Sequence, residues 1–291
     1  MPPERRYKKF AFILILGLLL LLPAGGYAAG REAAPAPPVP AVQLAPTLKP
    51  VGEKVAVDGQ GRAIYQVRAN GIKMGYKLAG AGEPLVLIPG LGGTMEGWPS
   101  ELLEALSRKY QLILLDNRGM GYSTANGRPF TYGLFAKDVI SLLDALGVKK
   151  TNVLGFSMGS AITQKLLLDY PQRFQKAVIY ATTTDGSKVA ALLKGKKIEN
   201  PIIRRQLEAT AQWRTPLHKL PLITQQVLLV VGTADEVVGP EGSKTLAARI
   251  PGAWLAQFKN GGHALMREAP REFTRIVLTF LEINETVTRA R

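Results

Sequence analysis

The segment Gly155-Phe156-Ser157-Met158-Gly159 constrains this chain more than any other. Apolar Val153 and Leu154 lead into it, and residues 162–170 behind it read as a helix stopped by Pro171. A serine placed between a strand and a helix needs glycine two places before and two after, because a side chain there would clash across so sharp a bend. The hydroxyl is then held out at the top of a sheet, over a helix N-terminus. The plainer reading of Ser157 is a small residue in a tight turn, so the surrounding pattern matters.

That pattern alternates. Residues 64–67 and 72–78 flank Asn70-Gly71 and read as a β-hairpin. Residues 85–88 are an apolar run suited to a strand buried on both faces, and further strands are expected at 112–115, 177–180, 227–231 and 254–258. Helices are expected at 98–110 and 135–146. Strands alternating with helices imply a mostly parallel sheet whose ligand site lies at the carboxyl ends of the strands. Leu91, Ser157 and Asp235 fall at such ends. The turn Pro89-Gly90-Leu91-Gly92-Gly93 can bring backbone N–H groups close to a developing negative charge, with Leu91 and Met158 the pair set by position. As a phosphate cradle it lacks both Gly-x-Gly-x-x-Gly and the P-loop lysine.

With 291 residues, 46% of them hydrophobic and 20% charged, the chain suits one globular domain plus a tail. Having no cysteine, it has no disulfides, thiolate chemistry or cysteine-ligated metal. The net charge of +15 favours anionic surfaces such as phospholipid headgroups, while no nucleic-acid-binding module is present. Arg5, Arg6, Lys8 and Lys9 precede an unbroken apolar run at 10–22 that ends in Pro23-Ala24-Gly25-Gly26. Basic, then apolar, then small is the order of a secretory signal, so residues 1–30 read as a cleaved signal or a retained membrane anchor, and the body as extracytoplasmic. Residues 31–50, with six prolines, read as an extended linker, and 51–291 as the folded domain.

Five segments, in this order, resemble the α/β-hydrolase family: Leu87-Ile88-Pro89-Gly90-Leu91-Gly92, residues 116–123, Gly155-Phe156-Ser157-Met158-Gly159, Gly232-Thr233-Ala234-Asp235 and Gly261-Gly262-His263. The resemblance runs from about Val51 to the C-terminus. It implies an α/β-hydrolase fold, a mostly parallel central sheet flanked by helices, with a short helical lid at 185–225. Pro89 departs from the family, which usually has histidine there, and bears on the shape of the oxyanion loop. A serine hydroxyl is a poor nucleophile near neutral pH, so an imidazole must take its proton and a carboxylate must orient that imidazole. The resemblance assigns these roles to Ser157, His263 and Asp235, with Asp185 a rival for the acid. His218, in a basic segment, reads as surface, and Asp116 as an organiser of its own loop.

The 185–225 insertion is short, so two small helices and a fairly open site are expected. Met95, Trp98, Phe156, Met158, Leu265 and Met266 are candidates to line an apolar pocket. The implied activity is a serine hydrolase that cleaves a carboxylic ester of a small-molecule or lipid-like substrate, with no cofactor and no metal. An acyltransferase, a C–C bond hydrolase and a cofactor-free haloperoxidase share the same three residues, and a membrane-tethered binding protein without turnover is a further reading.

Overall fold

The computed structural model describes residues 47–283. The expected signal or anchor at 1–30 and most of the expected linker lie outside the described residues. Nine strands form one sheet: β1 (Glu53–Val57), β2 (Ala63–Ala69), β3 (Ile72–Ala79), β4 (Glu83–Ile88), β5 (Tyr110–Leu115), β6 (Thr151–Phe156), β7 (Phe174–Tyr180), β8 (Gln226–Gly232) and β9 (Trp254–Phe258). Their order is β1-β2-β3-β5-β4-β6-β7-β8-β9. Strands β5, β4, β6, β7, β8 and β9 run parallel, and β1 to β3 add an antiparallel edge. The β2–β3 turn has Asn70 at φ 46° and Gly71 at φ 75°, the left-handed pair that a two-residue hairpin needs.

The apolar runs are buried on both faces because successive side chains point to opposite sides. Val86, Ile88, Ile113, Val153, Ile179 and Leu229 join one core with α2 (Tyr132–Ala145) and α3 (Met158–Asp169). Leu85, Leu87, Leu114, Leu154, Val178 and Val230 join a second core with α1 (Ser100–Ser107) and α8 (Pro270–Glu282). Each fully buried aliphatic side chain contributes about 1.5–3 kcal/mol, so these two layers dominate the stability. The helix expected at 98–110 is shorter: Pro99 caps its start in an extended conformation, and Tyr110 already belongs to β5.

The folded part begins before residue 51. The Gln111 side-chain amide pairs with both backbone groups of Leu48, at 2.5 and 3.0 Å, and the Tyr76 hydroxyl does the same for Val51, at 2.7 Å each. Residues 48–50 are therefore fastened to the sheet rather than part of a spacer. Within 185–225 lie α4 (Ser187–Leu192), α5 (Pro201–Gln212) and a 3₁₀ turn at Leu217–Leu222. The base of this insertion is closed by Gly186 N–H to Trp213 O and Thr215 N–H to Thr184 O. Among the described residues, no helix is long and apolar enough to cross a membrane.

Under the loop after β5 lies a buried ion pair. Arg118, fully buried, donates Nε to Asp138 Oδ2 (2.8 Å) and Nη2 to Asp138 Oδ1 (2.5 Å), and a third bond goes to Asn126 Oδ1 (2.9 Å). Removing one partner of such a pair strands a charge in a low-dielectric interior. Asp138→Ala is expected to lower the unfolding free energy by about 3–5 kcal/mol, read from the urea midpoint. An unchanged midpoint would show that water reaches the guanidinium.

Candidate active site

Between β6 and α3, Ser157 adopts φ 53° and ψ −114°, a conformation that residues with a side chain avoid and that persists only when its surroundings enforce it. The flanking glycines are there for space. A Cβ on Gly155 would sit 2.3 Å from both Gly159 O and Thr163 Oγ1, and one on Gly159 would sit 2.1 Å from Ile88 O. Strand and helix backbones thus touch where they meet. The turn is fixed by Ser157 N–H to Tyr180 O (3.0 Å) and by Ser160 N–H and Oγ–H to Ser157 O (2.9 and 2.5 Å).

His263 lies in the loop after β9 and Asp235 in the loop after β8. The two loops pass so close that a Cβ on Gly232 would sit 2.0 Å from Gly261 O. His263 Nε2 lies 3.0 Å from Ser157 Oγ, and His263 Nδ1 lies 2.8 Å from Asp235 Oδ2. The other oxygen, Asp235 Oδ1, accepts the N–H groups of Val237 and Val238 at 2.9 and 3.0 Å. Burial works against the charge on Asp235. The His263 hydrogen bond and charge, with the two N–H donors, outweigh it and hold the carboxyl below its ordinary value. An ionised Asp235 only accepts, which places a proton on Nδ1 and leaves the Nε2 lone pair facing the serine hydroxyl.

Tyr180 ties the histidine loop to the sheet. Its hydroxyl donates to His263 O (2.7 Å) and accepts Met266 N–H (3.2 Å), and its ring stacks on Phe156, which in turn contacts the imidazole. Glu268 Oε2 accepts Gly262 N–H at 2.6 Å from the far side of the same loop. The sequence reading passed over both: a tyrosine ending an apolar strand looks like core, and a glutamate in a short helix looks like surface.

The rival acid is elsewhere. Asp185 Oδ1 accepts the N–H and hydroxyl of Ser187 and the Arg214 guanidinium, closing the base of the insertion, and among the described residues Asp235 is the one carboxylate that bonds His263. Buried Asp116 binds the loops after β4 and β5 together, accepting Met95 N–H (2.7 Å) and Tyr122 N–H (2.8 Å). His218 is exposed on the 3₁₀ turn.

Near Ser157, the Leu91 and Met158 N–H groups have no protein acceptor among the described residues, whereas Gly92 N–H is engaged by Gln206 Oε1 (2.8 Å). A Cβ on Gly90 would lie 3.2 Å from Ser157 Cβ, so the loop and the serine are in contact. Asn117 Nδ2 donates to Pro89 O (3.1 Å), fixing the loop at the residue that departs from the family pattern. Gln206 was discernible in principle: it is the long polar side chain of the buried stripe formed with Ala209 and Thr210 on α5.

Beside the serine is a cavity of about 170 Å³, whose lining includes Leu91, Trp98, Phe156, Ala264, Met266 and Arg267. Trp98, Phe156 and Met266 are thus on its wall. The expectation is corrected for Met95 and Leu265, which point into the core shared with α1 and α8, and for Met158, which points into the core on the other face. Each sits next to the site in sequence but turns away from it.

A serine on a strand-to-helix bend, aligned with an imidazole and a buried carboxylate at the carboxyl edge of a parallel sheet, defines a hydrolase-type site. A family model described as the alpha/beta hydrolase fold matches residues 83–196. The putative non-heme bromoperoxidase BpoC of Mycobacterium tuberculosis is 36% identical over 256 residues, covering 72% of this chain and 97% of that protein. The serine hydrolase BPHL of Mus musculus is 28% identical over 265 residues, covering 80% of this chain and 91% of that protein. The crystal structure of a hydrolase from Pseudomonas aeruginosa PA01 superposes with a TM-score of 0.66 at 25% identity, covering 76% of this chain and 98% of that one. The chain belongs to the α/β-hydrolase family.

Gly159→Ala is expected to cost about 3 kcal/mol by overpacking backbone against backbone, measured by thermal or urea unfolding. Gly127→Ala, where a Cβ meets nothing within 4 Å, serves as the control and is expected to stay within about 0.5 kcal/mol of the parent. The lowered Asp235 carboxyl makes a second test. Its contribution to stability is complete above the ordinary carboxylate range and is lost as the pH falls through the lowered native value. The urea midpoints of the parent and Asp235→Asn are therefore expected to converge on acidification, and a constant gap would refute the linkage.

Proposed function

We propose that the protein is a serine hydrolase that cleaves a carboxylic ester through an acyl-enzyme. The observation that carries this reading is the unbroken hydrogen-bonded line from Ser157 Oγ through His263 to the buried carboxylate of Asp235. Ser157 Oγ attacks the ester carbonyl carbon while His263 Nε2 takes its proton. Negative charge then gathers on the carbonyl oxygen, where the N–H groups of Leu91 and Met158 serve as fixed donors. Asp235 steadies the imidazolium through Nδ1–H. When the C–O bond breaks, His263 returns the proton to the departing alcohol. Water, deprotonated by the same nitrogen, attacks the acyl-serine, and Ser157 is regenerated with release of the acid.

A second reading keeps these residues and changes the acceptor or bond, and the 36% identity to a protein named as a putative bromoperoxidase favours keeping it in view. Competition between water and an added alcohol for the acyl group separates hydrolysis from transfer. The basic-apolar-small order of residues 5–26 supports an extracytoplasmic location, with the segment either removed or retained as an anchor. The positive charge of the chain supports residence near an anionic membrane surface.

A fluorophosphonate is expected to label the folded protein at Ser157, and Ser157→Ala to abolish labelling and lower hydrolysis of a p-nitrophenyl ester by about 10⁴-fold or more. No label on folded protein, or equal labelling of the variant, would leave the non-catalytic binding reading in place.

A further inference from the structure

Seven large apolar side chains stand exposed among the described residues, and two of them share one space. Leu192, 50% exposed at the end of α4, and Val237, 37% exposed in the loop after β8, line an open groove of about 520 Å³ together with Lys188, Ala191 and Val238. Single exposed apolar residues are ordinary on a soluble surface, but a pair on one groove marks a surface that meets something. The groove lies at the working edge of the sheet, since Asp235 is among its lining residues.

Helix α4 and the turn after it carry one sign of charge. Between Gly186 and Ile198 the chain has Lys188, Lys194, Lys196 and Lys197, all exposed, and no aspartate, glutamate or arginine. Lys197 pairs with Glu199 (Nζ to Oε1, 2.8 Å), whereas Lys188, Lys194 and Lys196 have no carboxylate within salt-bridge distance among the described residues. Asp185, the acid closest along the chain to Lys188, is bonded by Ser187 and Arg214, and Glu236 is exposed on the opposite lip of the groove. A face made only for solubility mixes both signs and turns its leucines inward. Lysine ammonium groups are compact charges on flexible stems and suit a fluid plane of headgroups, where arginine forks suit fixed bidentate partners. Apolar side chains beside a cluster of lysines are the pattern of a surface that lies in a membrane interface. We propose that α4, the turn at 193–198 and the loop at 236–238 form a docking face for an anionic phospholipid bilayer. Leu192 and Val237 enter the headgroup layer, the lysines hold its phosphates, and the carboxyl edge of the sheet is turned toward the lipid. This rests on the membrane reading above and not on the ester chemistry, and it names the face that a general positive charge does not.

The absence of cysteine makes the test direct. In the full chain, Leu192→Cys and, separately, Lys150→Cys are labelled with an environment-sensitive nitrobenzoxadiazole dye and mixed with vesicles of phosphatidylcholine alone or with about one-third phosphatidylglycerol. Lys150 is exposed immediately before β6, at the opposite edge of the sheet. Insertion of the N-terminal segment would bring the protein to either vesicle, and the two dye positions then report which face touches it. The dye at 192 is expected to brighten about threefold or more on the anionic vesicles, to be quenched there by brominated lipid, and to change little on phosphatidylcholine. The dye at 150 is expected to stay dim on both. Adding Lys194→Glu with Lys196→Glu is expected to return the 192 signal to its phosphatidylcholine level, while the charge-matched pair Lys149→Glu with Lys150→Glu leaves it intact. All four positions are exposed, so neither pair is expected to move the urea midpoint. Equal signals at 192 on the two vesicles, a signal at 150 as large as at 192, a signal that survives the 194 and 196 reversals, or one lost with the 149 and 150 pair each overturns the proposal. Sedimentation reads association separately: bound protein with a dim dye at 192 refutes this face and leaves membrane residence standing, and protein that stays in solution refutes both. The ester reading is decided by the fluorophosphonate result.

Discussion

A backbone conformation that Ser157 would not choose is the constraint on which the site depends. It exists because β6 and α3 are forced together over a single residue, and they can meet only because positions 155 and 159 carry no side chain. The contact that Gly159 makes with Ile88 O lies one residue before Pro89, so the packing that bends the serine outward also fixes where the turn at 89–93 begins. Hydrophobic burial of the parallel strands supplies the force that holds this bend.

Around that bend the loops are joined by buried polar contacts, which have direction where hydrophobic contacts do not. Asp116 links the loops after β4 and β5, Gln206 reaches from the insertion to Gly92, and Asn117 holds Pro89. In a water-poor interior, each such bond has few alternatives, and losing it exposes two unpaired groups. The insertion therefore acts on the site through a brace to the turn at 89–93 as well as through any covering role. A short segment of 41 residues can fulfil that first role with one helix.

Much of this was legible in the sequence, and the reasons are specific. Buried parallel strands read as continuous apolar runs, so the sheet was apparent, and the glycine spacing around Ser157 encodes steric contact directly. The choice between Asp235 and Asp185 was not, because both follow a strand end and nothing local says which loop bends toward residue 263. The fate of Met95, Met158 and Leu265 was equally hidden: an apolar residue beside a site faces cavity or core according to helical phase. Leu48 was misassigned because prolines surround it, while its partner, the side chain of Gln111, is 63 positions away. Contacts made by single polar atoms across long sequence separations leave no periodic trace.

Tyr180 meets the reactive pair at both ends, with its carbonyl on the Ser157 amide and its phenol on the His263 carbonyl. One rigid residue therefore acts as a gauge between hydroxyl and imidazole. Thermal excursions of the sheet edge displace the two together, as points on one strut, so the gap between them is insulated from breathing motions that a pair mounted on independent loops would feel.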